Sequence, residues 1–382
     1  MTQTEQEAGR RARPRGRGGF LPVVVLVVLL LFGMPWWVLV TPWPGPVAVA
    51  GTVVFAVAAV AFPFLMFLGH GRGRDWAARV GDTMLGVVWV LFAWSVLGVV
   101  PRLLFDDRLV AVLVAAVAVV LVAWGVYEAM RVPRVRRMDV VLPKLGAGLD
   151  GTTVVVLADT HFGPIDRVRW STRTAAAVHA LKPDIVCHAG DIADGTVEAR
   201  LAQAAPLGTI EAALARVYVT GNHEYFGEAQ GWLDHMASLG WEPLHNRHVV
   251  VSRGGASLVL AGIDDATARA SGLAGHGAQL EVALAGAPAG APVLLVAHQP
   301  RQVAQAAAAG VDLQVSGHTH GGQIWPFHYL VRVDQPTVQG LTRHGPTQLY
   351  TTRGTGFWGP PLRVFAPSEI TLLTLRAPDS GH

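Results

Sequence analysis

Between residues 20 and about 128 this chain of 382 residues carries almost no charge, and that run limits what it can fold into more than anything else in the sequence. A bilayer's hydrocarbon core takes about 20 consecutive apolar residues per helix. Four stretches meet that length, approximately residues 20–40, 47–68, 80–104 and 109–126. The alternative is four buried helices of a soluble protein, but such helices keep a polar face and these stretches lack one. Trp36, Trp37 and Trp43 near one end of the first hairpin suit an interfacial aromatic belt.

The short loops set an orientation. Arg10, Arg11, Arg13, Arg15 and Arg17 precede the first stretch, Arg72, Arg74 and Arg79 fall in the second loop, and Arg131, Arg134, Arg136 and Arg137 follow the fourth. The first loop has no basic residue, and in the third Arg102 and Arg108 are offset by Asp106 and Asp107. The positive-inside rule therefore predicts a multi-pass protein of the cell membrane with both termini, and the C-terminal domain, in the cytoplasm. The organisation read from this is a basic tail over residues 1–19, a four-helix transmembrane region over 20–130, a linker over 131–137 and a C-terminal domain over 138–382. The net charge of +3 sits mostly in the tail and juxtamembrane loops, where it suits anionic lipid headgroups; no nucleic-acid partner is expected. Cys187 is the single cysteine, so the chain forms no internal disulfide and has no thiolate cluster for a structural zinc.

From Met138 the pattern changes to alternating strands and helices. An edge strand is expected over 138–142, with strands over 153–157, 185–188, 217–220, 258–263, 293–297 and 313–316. Helical patterns fill 168–181, 197–214, 229–239 and 303–309. Alternation of this kind implies an α/β domain of sheets covered by helices, with functional groups on loops at the strands' C-terminal ends.

Five short polar pieces fall at that edge. They are Asp159-Thr160-His161, Gly190-Asp191, Gly221-Asn222-His223-Glu224, Ala297-His298 and Gly317-His318-Thr319-His320, each directly after an apolar, β-branched run. Together they supply oxygen and imidazole donors without sulfur, a set suited to a pair of divalent metals, whether Mn, Fe or Zn. Asp159 and His161 are two residues apart, so in extended backbone they point the same way and bind one ion together; His318 and His320 repeat the spacing. Asp191 is best placed to bridge two ions, because a carboxylate has two oxygens to share. Glycine before a ligand permits a sharp turn and a close approach of backbone to metal.

These motifs resemble those of the calcineurin-like metallophosphoesterases, and within them the membrane-associated bacterial branch. The resemblance covers roughly residues 140–375, including the extended Gly317-His318-Thr319-His320-Gly321-Gly322-Gln323 and the segments Arg353-Gly354-Thr355-Gly356 and Pro361-Leu362-Arg363. It implies a two-sheet αββα sandwich. It also implies that Asp159, His161 and His320 hold one metal, that Asn222, His298 and His318 hold the other, and that Asp191 bridges. His223 is implied to stand beside the scissile phosphate as acid or charge stabiliser, paired with Asp194, and an imidazole held by a carboxylate keeps a raised pKa suited to protonating an alkoxide. Gln323, Arg353 and Arg363 are candidates for phosphate contact, since they belong to family-like segments. His188 and the remaining histidines are expected in the core or on the surface.

The chemistry expected is hydrolysis of a phosphoester by a metal-bridging hydroxide. The four spans favour a phosphodiester or pyrophosphate of a lipid-linked or envelope-related substrate. A nucleotide phosphodiesterase or phosphatase is the alternative enzyme, and a non-catalytic membrane sensor binding a phosphorylated ligand is the alternative outside enzymes.

Overall fold

The computed structural model describes residues 20–378; the basic tail over residues 1–19, with its five arginines, lies outside the described residues. Contacts divide what is described into two compact units, one formed by the residues up to Pro63 with Leu91–Val117, the other by Phe64–Val90 with Ala118 onward. Four helices are long and apolar enough to cross a membrane: α1 (Phe20–Leu39), α2 (Gly45–Met66), α3 (Asp75–Arg102) and α4 (Asp107–Met130).

In the first unit the polar groups cluster at the helix ends. Arg102 forks onto Asp107 at 2.7 and 3.0 Å and lies 4.5 Å over the Trp37 ring, so the basic and acidic residues of the third loop do offset one another. Deeper in, Trp36 donates to the Thr52 hydroxyl at 2.9 Å and Val38, Val110 and Val114 pack together.

Among its described residues the second unit contains twelve strands. One sheet runs in the order β1 (Arg134–Val141), β12 (Glu369–Arg376), β2 (Thr153–Leu157), β3 (Ile185–Ala189), β4 (Ala215–Val219), β5 (Glu242–Pro243). The other runs β10 (Gly340–His344), β11 (Thr347–Thr351), β9 (Leu313–Ser316), β8 (Val293–Val296), β7 (Ala256–Gly262), β6 (Arg247–Arg253). Parallel pairing dominates the centre of each sheet, where strands such as β3 are buried along their whole length, which is why they read as continuous apolar runs.

Three buried clusters define the layers. Val154, Cys187 and Val217 of one sheet meet Leu260, Leu294 and Val315 of the other, forming the core between the sheets. On the outer face of the first sheet, Val155 and Val186 meet Trp170 of α5 (Val168–His179) and Trp232 of α8 (Ala229–Ser238). On the outer face of the second, Val259 and Leu295 meet Leu280 and Ala306, from α9 (Leu280–Leu284) and α10 (Val303–Ala308). The result is the αββα sandwich that the motifs implied.

Several boundaries differ from the sequence reading. The expected linker over 131–137 becomes strand from Arg134, because residues 134–141 find β12 as a parallel partner in register from Arg134–Glu369 to Val141–Arg376. Arg134 pairs with Glu128 and Arg136 with Glu369, so the charged residues of this edge strand are neutralised laterally. The helix expected over 197–214 stops at Ala204: α6 (Val197–Ala204) gives way to a 3₁₀ turn over Ala205–Thr209, since Pro206 removes a donor. β5, β6, β10, β11 and β12 escaped the pattern, as did α9 and α11 (His328–Asp334), the latter a helix with no buried residue. The short remaining helix, α7 (Asn222–Phe226), carries three of the polar pieces' residues, Asn222, His223 and Glu224.

The second unit also holds the first half of α3 and the second half of α4. Leu362 inserts between them: a Cβ on Gly86 of α3 would collide with its Cδ1, and one on Gly125 of α4 would come 3.0 Å from its Cδ2. The next residue's amide, Arg363 N–H, donates to the Gly125 carbonyl at 2.9 Å. Asp75 of α3 forks onto Arg200 at 2.7 and 2.6 Å.

Candidate metal centre

Each of the five polar pieces begins where a parallel strand ends, β2, β3 and β4 in one sheet and β8 and β9 in the other, so ligands from both sheets converge at one edge. They do not do so in extended backbone, as the two-residue spacing suggested. Asp159, His161, Asp191, His318 and His320 all have positive φ, from 42 to 70°, a region that costs a residue with a Cβ about 1–2 kcal/mol. The turn is what brings both members of each pair to one point. Buried hydrogen bonds hold it: His318 N–H donates to the Asp159 carboxylate at 2.9 and 3.1 Å, and His223 N–H to Asp191 Oδ1 at 2.9 Å.

Two glycines are required by proximity. A Cβ at Gly221 would run into the Asp191 carboxylate, and one at Gly317 into that of Asp159.

The donor atoms form two adjoining groups, Asp159 with His161 and His320, and Asp191 with His298 and His318. His161 Nε2 lies 3.1 Å from His320 Nε2, and Asp159 Oδ1 is 3.6 Å from the latter. Asn222 Oδ1 joins the second group, 3.1 Å from His298 Nε2 and 2.9 Å from His318 Nδ1. Asp191 Oδ2 stands between the groups, 3.5 Å from His161 Nε2 and 3.1 Å from His298 Nε2. Nearly all of these side chains are buried, and the inner nitrogens are fixed from behind: His298 Nδ1 by the Ala189 carbonyl at 2.7 Å, His161 Nδ1 by Asp194 at 3.0 Å, His320 Nδ1 by Arg363 at 3.2 Å. Support of this kind sets ring orientation and leaves the other nitrogen for a metal.

Most of the cluster is held in the forms that bind cations; His298 is the exception, since burial opposes its charge but Asp191 and Asp159 outweigh burial and hold it well above its usual value. Burial opposes ionisation of Asp191, but His298, His223 and His161 around it outweigh burial and hold it well below the ordinary range. Burial, reinforced by His298, holds His318 down at about 3, and burial with His161 and Arg363 holds His320 well below its usual value. Burial raises Asp159 to about 6. Ionised carboxylate and neutral imidazole are the forms that ligate metals, and a buried carboxylate is stabilised by an adjacent cation. The oxygen and imidazole donor set of this cluster therefore fits two divalent ions.

His223 stands beside the cluster with its Nδ1 2.7 Å from Asp194 Oδ1, the oxygen that also receives His161. Burial works against a charged His223 ring, but Asp191 and Asp194 outweigh it and push the ring up to about 9. Phe226 and Trp358 flank the ring edge-on at 5.2 and 6.0 Å.

The three residues expected to contact phosphate have other partners. Arg363 is fully buried behind His320, its guanidinium donating to the Gly356, His320 and Ala366 carbonyls, and it supports the ligand instead of reaching past it. Arg353 forks onto Glu369 at 2.8 Å through both Nε and Nη2. Gln323 donates to the Trp358 and Pro360 carbonyls at 2.8 and 3.0 Å and accepts from Trp358 N–H, fixing the loop that carries Trp358. His188 is core, packed on Tyr218 and Trp241.

Glu224, the last residue of its polar piece, shapes the loop: it accepts from the backbone N–H groups of Asp191, Ile192 and Gly221 at 2.6–3.0 Å and so holds two ligand loops at once. Sequence reasoning missed one support and one cluster. Arg167 caps the Thr160 and His161 carbonyls while lying 4.3 Å over Phe357. It falls at no ligand spacing. His245, Asp264 and His276 gather separately, with His245 Nδ1 2.6 Å from Asp264 Oδ1, although each histidine alone read as ordinary surface or core.

The calcineurin-like phosphoesterase family model matches residues 152–322, which span all of these pieces. A Danio rerio "transmembrane protein with metallophosphoesterase domain" is 34% identical over 333 residues, covering 81% of this chain and 76% of that protein. A metallophosphoesterase of Campylobacter jejuni is 33% identical over 278 residues, covering 72% of this chain and 70% of its own. Among solved structures, the calcineurin-like phosphoesterase YfkN of Bacillus subtilis covers 52% of this chain and 80% of its own, at 16% identity and a TM-score of 0.34.

Proposed function

Because the chain belongs to the calcineurin-like metallophosphoesterases, we propose that it hydrolyses a phosphodiester or pyrophosphate of a lipid-linked or envelope-related substrate, with its catalytic unit on the cytoplasmic side. The observation that carries the chemistry is Asp191 Oδ2, placed between a histidine of each ligand group, with His223 held beside it by Asp194. Asp159, His161 and His320 would hold one ion and Asn222, His298 and His318 the other, Asp191 being shared. Two divalent ions, Mn, Fe or Zn, bound there would supply Lewis acidity and a water acidic enough to act as nucleophile near neutral pH.

The chain's own groups do the rest. His223, protonated at neutral pH, gives its proton to the leaving oxygen, and Asp194 keeps the ring's tautomer and orientation. Asp194 also fixes His161, so one carboxylate coordinates the acid with the ligand group. The candidate site offers no serine or cysteine nucleophile beside a base, so direct attack by water is the route. The four membrane-spanning helices support a substrate presented at the headgroup plane.

The test is hydrolysis of bis-p-nitrophenyl phosphate against p-nitrophenyl phosphate by the full chain, with Mn, Fe or Zn added back after chelation. Preference for the diester is expected. Activity confined to the monoester removes the diester reading, and no activity with any metal removes the enzyme.

A further inference from the structure

Beside the metal centre lies a cavity of about 450 Å³, within the size range of small-molecule sites. Its lining is of two kinds. Asn222, His223 and His318 bring polar groups of the metal centre to it, and Leu85, Trp89, Phe327 and Leu330 are apolar. We propose that the apolar lining is a subsite for the hydrocarbon chain of an amphipathic phosphoester drawn directly from the bilayer; the inference rests on the phosphoesterase reading above.

Leu85 and Trp89 make the bilayer the source. Both belong to α3, whose apolar run continues to Arg102. Counting back from Arg102, the roughly 20 residues needed to cross about 30 Å of hydrocarbon reach Thr83, so both side chains fall inside the membrane-spanning length. The cavity wall is therefore partly a wall that lipid chains already touch. Trp89 is tied to the opposite wall, its indole N–H donating to the Ile324 carbonyl at 3.2 Å and its ring meeting Phe327 edge-on at 5.7 Å.

The rim continues the same chemistry. α11 and the residue before it expose Phe327, Tyr329, Leu330 and Val333, the last to 85%. A water-facing helix places polar residues at such positions, whereas one lying in a headgroup boundary places apolar ones there. Asp334, the acidic residue at this wall, pairs with Arg301 at 3.2 Å and so does not repel an incoming phosphate as a free charge.

The phosphoryl group would reach the polar groups with its chain laid past Trp89 and Phe327. Recognition then resides in chain length, because each methylene moved from water into the cavity improves binding roughly fourfold.

The test uses the full chain in lipid nanodiscs with Mn, and n-alkylphosphonates from methyl to dodecyl as inhibitors of bis-p-nitrophenyl phosphate hydrolysis. Inhibition constants should fall steeply with each methylene and then level off once the cavity is filled. In Leu330→Glu, an exposed position where folding tolerates the charge, the slope should flatten by at least half. The same slope in wild type and Leu330→Glu would mean that partition into the bilayer alone produces the trend, and it overturns the proposal. A flat series with intact hydrolysis also overturns the proposal and leaves the phosphoesterase standing, whereas absence of hydrolysis removes the phosphoesterase itself.

Discussion

The ligand cluster and the apolar wall close the same cavity, yet they tolerate change very differently. Several ligands in the cluster are fixed by a partner besides any metal: Asp159 by the His318 amide, His161 by Asp194, His298 by the Ala189 carbonyl, His320 by Arg363. The wall is held by shape, with Leu362 between two glycines and one indole hydrogen bond from Trp89. Hydrogen-bonded position depends on single atoms, whereas apolar packing depends on volume and accepts many sequences. The cluster should thus fail abruptly and the wall gradually.

The largest expected effect is metal removal. Chelation should abolish phosphoesterase activity, and Mn should restore it at least as well as Mg, which prefers oxygen-only octahedral sites. Activity that persists in protein shown by elemental analysis to be metal-free would remove the contrast at its source.

Next come neighbours within one loop. Asn222→Ala should lower metal content and activity together, whereas His223→Ala should keep both ions and lose about 10²–10⁴-fold in rate, the usual worth of a positioned acid. The loss should be smaller for p-nitrophenyl esters, whose leaving group needs little protonation, than for an alkyl ester. Equal losses would make His223 a stabiliser of phosphoryl charge, and a missing ion would make it a ligand.

The contrast also explains what the sequence disclosed. Ligand types and their order were legible because coordination demands particular atoms at strand ends, and β2 and β9 were placed to the residue because buried parallel strands are uninterrupted apolar runs. The left-handed backbone at five ligands was not, since spacing alone does not distinguish a turn from an extended pair. The partners of Arg353 and Arg363 were illegible for a related reason: an arginine near a phosphate site, one paired with a buried glutamate and one buried among carbonyls look alike in sequence. The wall was invisible, because Leu85 and Trp89 satisfy a membrane pattern whether or not they also face a cavity.

A smaller effect is expected at the packed wall. Leu362→Ala should cost about 2–5 kcal/mol, as for other buried Leu truncations, read as a lowered unfolding midpoint in nanodiscs. Metal content should change little. Loss of both ions without loss of stability would show that the wall also dictates ligand geometry.

Asp194→Asn should shift the alkaline limb of the rate profile downward. Its carboxylate helps raise His223 to about 9, so its removal lowers the pH at which the ring gives up its proton and activity falls. An unmoved limb would assign that limb to another group. The smallest effect belongs to Asp75→Asn: the partly exposed pair with Arg200 should be worth no more than about 1 kcal/mol.

The contact of Leu362 with Gly86 and Gly125 governs where this enzyme can be cut. A chain beginning at Met138 retains every metal ligand yet loses both glycines, the Gly125 carbonyl that receives the Arg363 amide, and the indole of Trp89. Arg363 is the residue that steadies His320, so excision would loosen a ligand that lies far along the chain from the residues removed. The unit that packs together and the part that follows the fourth helix are different objects, and only the former is expected to be active.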